Sequence, residues 1–464
     1  MGALATAALT AVKTTAASTT ATPVAARTQM GFSLGWHIIV ACLGVGMPAL
    51  VLFTEWRGWR TGDPWYQLLA RRWAKALGVL FAVGAVSGTI LSFEMGVLWA
   101  GMMDRYGSVI GLPFAIEGFA FFIEAIFLGI YLYGWDRLPA RTHLLSGIPI
   151  LVAGVASAFF VVAANSWMNS PRGFKIVGGR LTGVDPWAAM FNPATGPETT
   201  HMILAAFMVT GFLVASVYAV AMLRGRTDRY HRLGLLIPLT LGAAITPVQI
   251  AVGDWAARSV ASIQPLKLAA MEGLYAGGRG VPEAVGGYFA DNRLHGAIRI
   301  PDGLSLLLHF SPHGYVAGLQ SAPPGVRPPL VTVVHLSFDA MVGIGFGLLA
   351  LGAWLALAWW RHRAAPRSAW FLRATAVSGI GAVAAMESGW IVTEVGRQPW
   401  IVYGVLRVAD AVNPAPGLGW GLLAVIAVYA VLTVVTVYVL RRLARSRPVP
   451  EVPQERDVTE YKVV

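Results

Sequence analysis

Apolar residues in this chain come in long, nearly unbroken runs instead of alternating with polar ones. Crossing about 30 Å of hydrocarbon takes roughly 20 apolar residues as a helix. Nine stretches qualify, at about 33–54, 77–100, 113–134, 143–165, 200–223, 233–253, 333–360, 370–395 and 418–440. Strands with open edges cannot span, because their backbone groups would be unsatisfied in lipid. The pattern therefore predicts an all-α, polytopic membrane helix bundle of about nine transmembrane helices over residues 29–442. Residues 1–28 are rich in Ala and Thr, carry only Lys13 and Arg27 as cations, and lack the basic start and compact apolar stretch of a signal peptide. They are expected to form a disordered N-terminal tail, and the polar, Pro-containing residues 443–464 a disordered cytoplasmic tail.

Composition strengthens the membrane reading. Hydrophobic residues make up 56% of the 464, charged residues only 12%, and mean hydropathy is +0.62. A soluble domain carries about 25% charged residues. The single cysteine, Cys42, excludes intrachain disulfides, cysteine-held iron–sulfur clusters and CxxCH haem attachment. A net charge of +12 raises nucleic acid as a partner, but the position of the charges removes it. They cluster after the first apolar stretch (Arg57, Arg60, Arg71, Arg72, Lys75), after the fifth (Arg224, Arg226, Arg229, Arg232), after the seventh (Arg361, Arg363, Arg367) and after the ninth (Arg441, Arg442, Arg445, Arg447). The alternate connections are poorer: 101–112 has Arg105, and 396–417 has Arg397 and Arg407. The positive-inside rule then puts the N-terminus outside and the C-terminus inside.

One connection stands apart. Residues 254–332 read as a long outer loop, and a loop of that length is usually functional or disordered. Within it, Ile263 to Tyr275 reads as a short amphipathic helix carrying Lys267 and Glu272.

Ionisable side chains inside spans are expensive and hence functional candidates. They are His37, Glu94, Glu117, Glu124, His201, His335, Asp339 and Glu387. At about 1.5 Å of rise per residue, His37 and Glu117 lie one turn below the outer side, and Glu124 two turns deeper on the face of Glu117. His201 opens the fifth span, and Met341 and Glu387 lie about two turns down theirs. A lone His or Met in a span is ordinarily a packing residue, and Glu94 is placed to snorkel to the outer interface. Two His, three Glu and a Met from five helices at one level instead suggest a buried cofactor site in the outer half of the bundle. Buried carboxylates such as Glu117 and Glu124 need a partner or a proton, which fits proton handling or ligation.

These residues sit in recognisable motifs. GRQPW (Gly396 to Trp400) resembles the signature of subunit I of cytochrome bd quinol oxidases. The resemblance extends through AIEGFAFFIE (Ala115 to Glu124), GWDRL (Gly134 to Leu138), NSWMNSP (Asn165 to Pro171), Gly253–Asp254, KLAAME (Lys267 to Glu272), Met341 and ESGW from Glu387. It implies a haem-bearing subunit of a bacterial cytoplasmic-membrane oxidase that reduces O2 to water with electrons from quinol. The implied cofactors are a low-spin haem b, a high-spin haem b and haem d. His201 and Met341 match the low-spin ligands, while His37, Glu117 and Glu387 match positions serving the high-spin haems. Arg397, inside GRQPW, is assigned to cofactor binding. The outer loop looks like the short form of a quinol-binding loop, in which Lys267 and Glu272 match residues implicated in quinol oxidation. Implied partners are a second multi-span subunit and a single-span small subunit, beside membrane lipid, quinol and O2.

The layout then implies quinol protons leaving outside and protons for water arriving from inside, with no pump. Glu124 is the candidate last relay, and Asp136 lies at the inner side. Two departures stand out: Asp339 where the family often has Arg, which would invert charge beside the low-spin haem, and Val383 where an aromatic is often found. His335 is a rival to Met341 as ligand. The competing classes are a proton-coupled secondary transporter and a haem-bearing electron-transfer subunit that never meets O2.

Overall fold

A computed structural model describes residues 2–366, 368–413 and 418–445, with side chains from Val24 onward. Arg367, Arg447 and the tail from residue 446 lie outside the described residues. Nine helices among the described residues are long and apolar enough to cross a membrane. In chain order the helices are α1 (Gly2–Thr61), α2 (Pro64–Leu98), α3 (Ala100–Gly134), α4 (Ala140–Asn169), the short α5 (Pro186–Met190), α6 (Thr195–Leu223), α7 (Arg229–Ile263) and the short α8 (Pro265–Met271). Then come α9 (Gly303–His309), α10 (Val331–His362), α11 (Ala369–Gly396), α12 (Val408–Ala411) and α13 (Leu418–Arg445). Two-residue and three-residue strands form five isolated antiparallel pairs in the connections.

Several helices overrun their apolar stretches. α1 is helical across the stretch read as a tail, and Ala26 is fully buried. α2 and α3 begin at Pro64 and Ala100, not near 77 and 113. Local chemistry explains the first: Gly62 turns the chain with φ +69°, Asp63 accepts the Trp65 amide at 3.0 Å, and Pro64 fills the first turn, where no N–H is needed. Asp228 caps α7 in the same way through the His231 amide, at 3.1 Å. α7 then continues to Ile263, so the long connection starts at residue 264 and not at 254. Pro113, Pro149, Pro238 and Pro247 lie inside helices, as membrane bundles tolerate.

The bundle is centred on α6. Its Val209, Phe212 and Ala215 are fully buried with Leu239 of α7 and Phe371 and Ala382 of α11. α6 and α7 approach closely: a Cβ on Gly211 would lie 2.6 Å from the Gly242 amide nitrogen, so a larger residue there would push the helices apart. Thr210 donates to the Cys42 carbonyl of α1 at 2.8 Å. α13 packs on α1 and α2 through Tyr429 and the Trp36–Thr433 hydrogen bond of 2.8 Å, and leaves most of its apolar surface facing outward. The bundle has two unlike ends. One carries the 264–330 connection and is called the loop end; the opposite one, with Arg57, Arg71 and Arg224, is the basic end.

Candidate functional site

At the loop end, four helices each turn a potential ligand atom against a glycine of a neighbour. On α1, His37 Nδ1 lies 2.7 Å from Ser87 Oγ of α2. That hydroxyl is also 3.1 Å from the Val83 and Gly84 carbonyls. The Ser87 contact orients the ring through Nδ1 and leaves Nε2 as the nitrogen placed to act as a ligand. The ring faces Gly88, where an added Cβ would come within 3.3 Å of Cε1.

On α11, Glu387 Oε2 lies 3.3 Å from where Gly35 would carry a Cβ, and its Oε1 is buried without a partner. Gly35 and His37 lie within one turn of α1 but on different faces, so α11 brings Glu387 and α2 meets His37 at about the same level of that helix. On α6, His201 faces Gly253 of α7, and Gln249 places its amide nitrogen 3.2 and 3.3 Å from the two ring nitrogens. On α10, Met341 Sδ rests 3.0 Å from the Gly389 Cβ position on α11. Each of these side chains thus reaches a neighbouring helix where a glycine leaves room for it, and His, Met and carboxylate are the side chains able to ligate a haem iron. No group of three or more His, Cys, Asp or Glu converges as a bare metal site among the described residues.

Glu117 and Glu124 face α4 instead. Ser157 donates to Glu117 at 2.8 Å, and the buried Glu124 carboxyl lies 3.6 Å from the Cβ position of Gly154. Glu94 does not snorkel: it is buried, and Gln29 and Ser33 donate to its Oε1 at 3.1 and 2.8 Å. His335 is not a rival ligand. Its Nδ1 lies 2.7 Å from the Met271 carbonyl and its Nε2 2.9 Å from the Gly286 carbonyl, so both nitrogens are turned to the connection and neither faces a cofactor. Asp339 turns toward the connection, where its Oδ2 accepts the Gly286 amide at 2.6 Å and lies 3.5 Å from His335. Its charge is thus tied to the connection. Val383 packs on the central core.

The stretch read as a short amphipathic helix is buried, because α8 tucks beneath the connection with Lys267 to Met271 all enclosed. Lys267 Nζ donates to Asn169 Oδ1 at 3.0 Å, and the same oxygen accepts Arg397 Nη1 at 3.2 Å. Asn169 passes its own amide to Glu198 at 2.9 Å, while Arg397 pairs with Glu394, which also accepts Asn165 at 2.7 Å. Two cations and two carboxylates therefore balance inside the bundle. Burial, with the Arg397 charge adding to it and Glu198 and Glu394 opposing, pushes the Lys267 amine down. Beyond α8, burial next to Glu283 and Asp339 holds the Glu272 carboxyl well above the usual range, and Glu283 is pushed up to about 7, again mainly by burial. A cavity of about 250 Å³ opens nearby, lined by Tyr275, Phe289, Arg327 and the start of α10.

Sequence reasoning missed Glu198, Glu394 and Glu283, and at the basic end a buried Glu55–Tyr131–His143 cluster. There His143 Nδ1 lies 2.7 Å from Glu55 Oε1 and its Nε2 2.9 Å from the Tyr131 carbonyl, while the Tyr131 hydroxyl donates to Glu55 Oε2. Glu198 and Glu394 lie at helix ends, where a charge reads as interfacial. Glu55 precedes Arg57 in what looks like a solvated turn. Asp136, by contrast, is an exposed partner of Arg71 at 2.8 Å.

These features define a polytopic helical protein with candidate ligand side chains and a set of buried carboxyls gathered at one end. Comparison with known proteins gives the family: the model for cytochrome bd terminal oxidase subunit I matches residues 25–448. A Bacillus subtilis (strain 168) protein, provisionally named cytochrome bd menaquinol oxidase subunit I, is 39% identical over 435 residues, covering 92% of this chain and 98% of that relative. The cytochrome bd ubiquinol oxidase subunit 1 of the same organism is 30% identical over 420 residues, with 87% and 89% covered. The solved structure of bd oxidase from Geobacillus thermodenitrificans superposes with a TM-score of 0.85 at 36% identity, covering 92% of this chain and 99% of that one. The chain belongs to the cytochrome bd terminal oxidase subunit I family, membrane-embedded quinol:O2 oxidoreductases of bacteria. Family membership removes the transporter alternative.

Proposed function

We propose that this chain is the haem-carrying subunit of a terminal quinol oxidase that takes electrons from quinol at the loop end and reduces O2 to water. The observation that carries the reading is the set of four side chains, His37, His201, Met341 and Glu387, each facing a glycine across a helix interface. His201 and Met341 would hold a low-spin haem b, and His37, Glu117 and Glu387 would serve a high-spin haem b and haem d. Bound haems supply one-electron carriers and the iron that meets O2. Arg397, whose Nε is buried without a partner, offers a cation to the acidic edge of such a group.

The chain's own residues handle the protons. Glu272, enclosed at the end of α8, accepts a proton as quinol is oxidised, and Lys267 anchors α8 through Asn169. With the N-terminus outside, the loop end is the outer face and those protons leave there. Protons for water rise from the inner face, with Glu124 as the last relay before the oxygen site. Charge separation follows from this one-sided uptake without pumping. A second multi-span subunit and a single-span small subunit complete the complex, surrounded by lipid. The test is a dithionite-reduced minus oxidised spectrum with quinol-driven O2 uptake. Haem b bands beside a far-red chlorin band, with uptake, support the reading. Haem b without chlorin or O2 uptake would replace it with an electron-transfer subunit.

A further inference from the structure

Glu272 does not stand alone. It closes α8 and neighbours Glu283, at the start of the Glu283–Val285 strand, because His335 holds the Met271 and Gly286 carbonyls of the two segments on one ring. Each of the two retains one oxygen, Oε2, buried without a partner. Two neighbouring carboxyls enclosed away from water do not both stay ionised, so at rest the pair holds a proton.

The groups facing the pair come from α10. The His335 ring nitrogens lie 2.7 and 2.9 Å from the carbonyls of Met271 and Gly286, one residue before Glu272 and three after Glu283. Asp339 takes the Gly286 amide at 2.6 Å. One helix thus clamps both carboxyl-bearing segments into register. Glu272 is 5% exposed, whereas Glu283 is half-buried in the connection, so the pair leads from the enclosed site toward the surface.

We infer that Glu283 is the relay partner through which Glu272 returns quinol protons to the outer water. This rests on the quinol-oxidase reading. A quinol O–H bond breaks, its proton enters the pair as a second proton, and the electron passes to the O2-reducing centre. The pair then releases one proton through Glu283 and regains its one-proton state. Repetition at the second hydroxyl leaves quinone, with two electrons and two protons removed. Glu283 is a positioning residue, since it acts through Glu272.

The test uses the purified complex with its second subunit. Glu283→Gln should lower quinol-driven O2 uptake on the order of 10-fold and flatten the pH profile. It should also remove a carboxylic-acid carbonyl band from the infrared difference spectrum. Glu272→Gln should remove the same band, and the double variant should be little worse than either single one. Glu283→Asp, which keeps the carboxyl, should recover much of the rate and the profile, separating proton transfer from assembly. A Glu283→Gln complex with the wild-type profile and band overturns the inference, whether or not its rate falls. A wild-type complex that consumes no O2 with quinol would overturn the functional reading as well.

Discussion

The two ends of the bundle bury similar chemistry in opposite conditions. At the basic end, both Glu55 oxygens and both His143 nitrogens have partners, and Tyr131 closes the cluster. At the loop end, Glu272, Glu283, Glu387, Gln249 and Arg397 each keep a buried polar atom with none. An unpartnered buried polar atom costs about 1–3 kcal/mol, so a protein keeps several in one region only where something else completes them. The contrast separates fully partnered polar groups from partly unpartnered ones more sharply than burial does, since both sets are buried.

The largest expected effect would break the comparison at the loop end. Met341→Leu or His201→Ala should abolish the low-spin haem b signal while the complex still assembles, read by reduced-minus-oxidised spectra and gel filtration. An unchanged spectrum would remove the assignment. At the basic end, His143→Leu should leave one oxygen of the buried Glu55 without a partner and lower stability by about 3–5 kcal/mol. Thermal unfolding checks this, and turnover per haem should hold.

The pH dependence sharpens the contrast further. Burial raises both loop-end carboxyls, with Glu283 pushed up to about 7, so the form able to accept a proton is scarce in acid and grows as pH rises. Quinol oxidation should therefore climb through about pH 7, measured as initial rates of O2 uptake; a rate that falls across that range would contradict the sign. The smallest effect belongs to the exposed Arg71–Asp136 pair, where side-chain exposures are 46% and 80%. Arg71→Ala should change the unfolding free energy by less than about 1 kcal/mol.

Much of this was legible in the sequence because lipid imposes a simple rule. Unbroken apolar runs gave the spanning helices and their order, and ionisable residues within those runs gave His37, His201, Glu117, Glu124 and Glu387. Helix ends were less legible: Asp63–Pro64 starts α2 well before its apolar run, and α7 continues past Asp254 into what reads as loop. Partnership was not legible at all. Nothing in the spacing of His335 and Met341 says that the histidine turns both nitrogens to carbonyls contributed by distant segments. Nor does sequence pair Glu272 with Glu283, because the turn that joins them is irregular and carries no periodicity.

The central claim is that free ligand atoms, and not buried polar residues as such, mark the cofactor site. His335 and Met341 on α10 test it most directly, since they lie on one helix and differ in whether their ligand atoms are spent. Low-spin haem b should be quantified spectroscopically in folded complexes of His335→Asn and Met341→Leu. The account predicts full haem in the first and none in the second. Loss of the haem in His335→Asn with retention in Met341→Leu would contradict it.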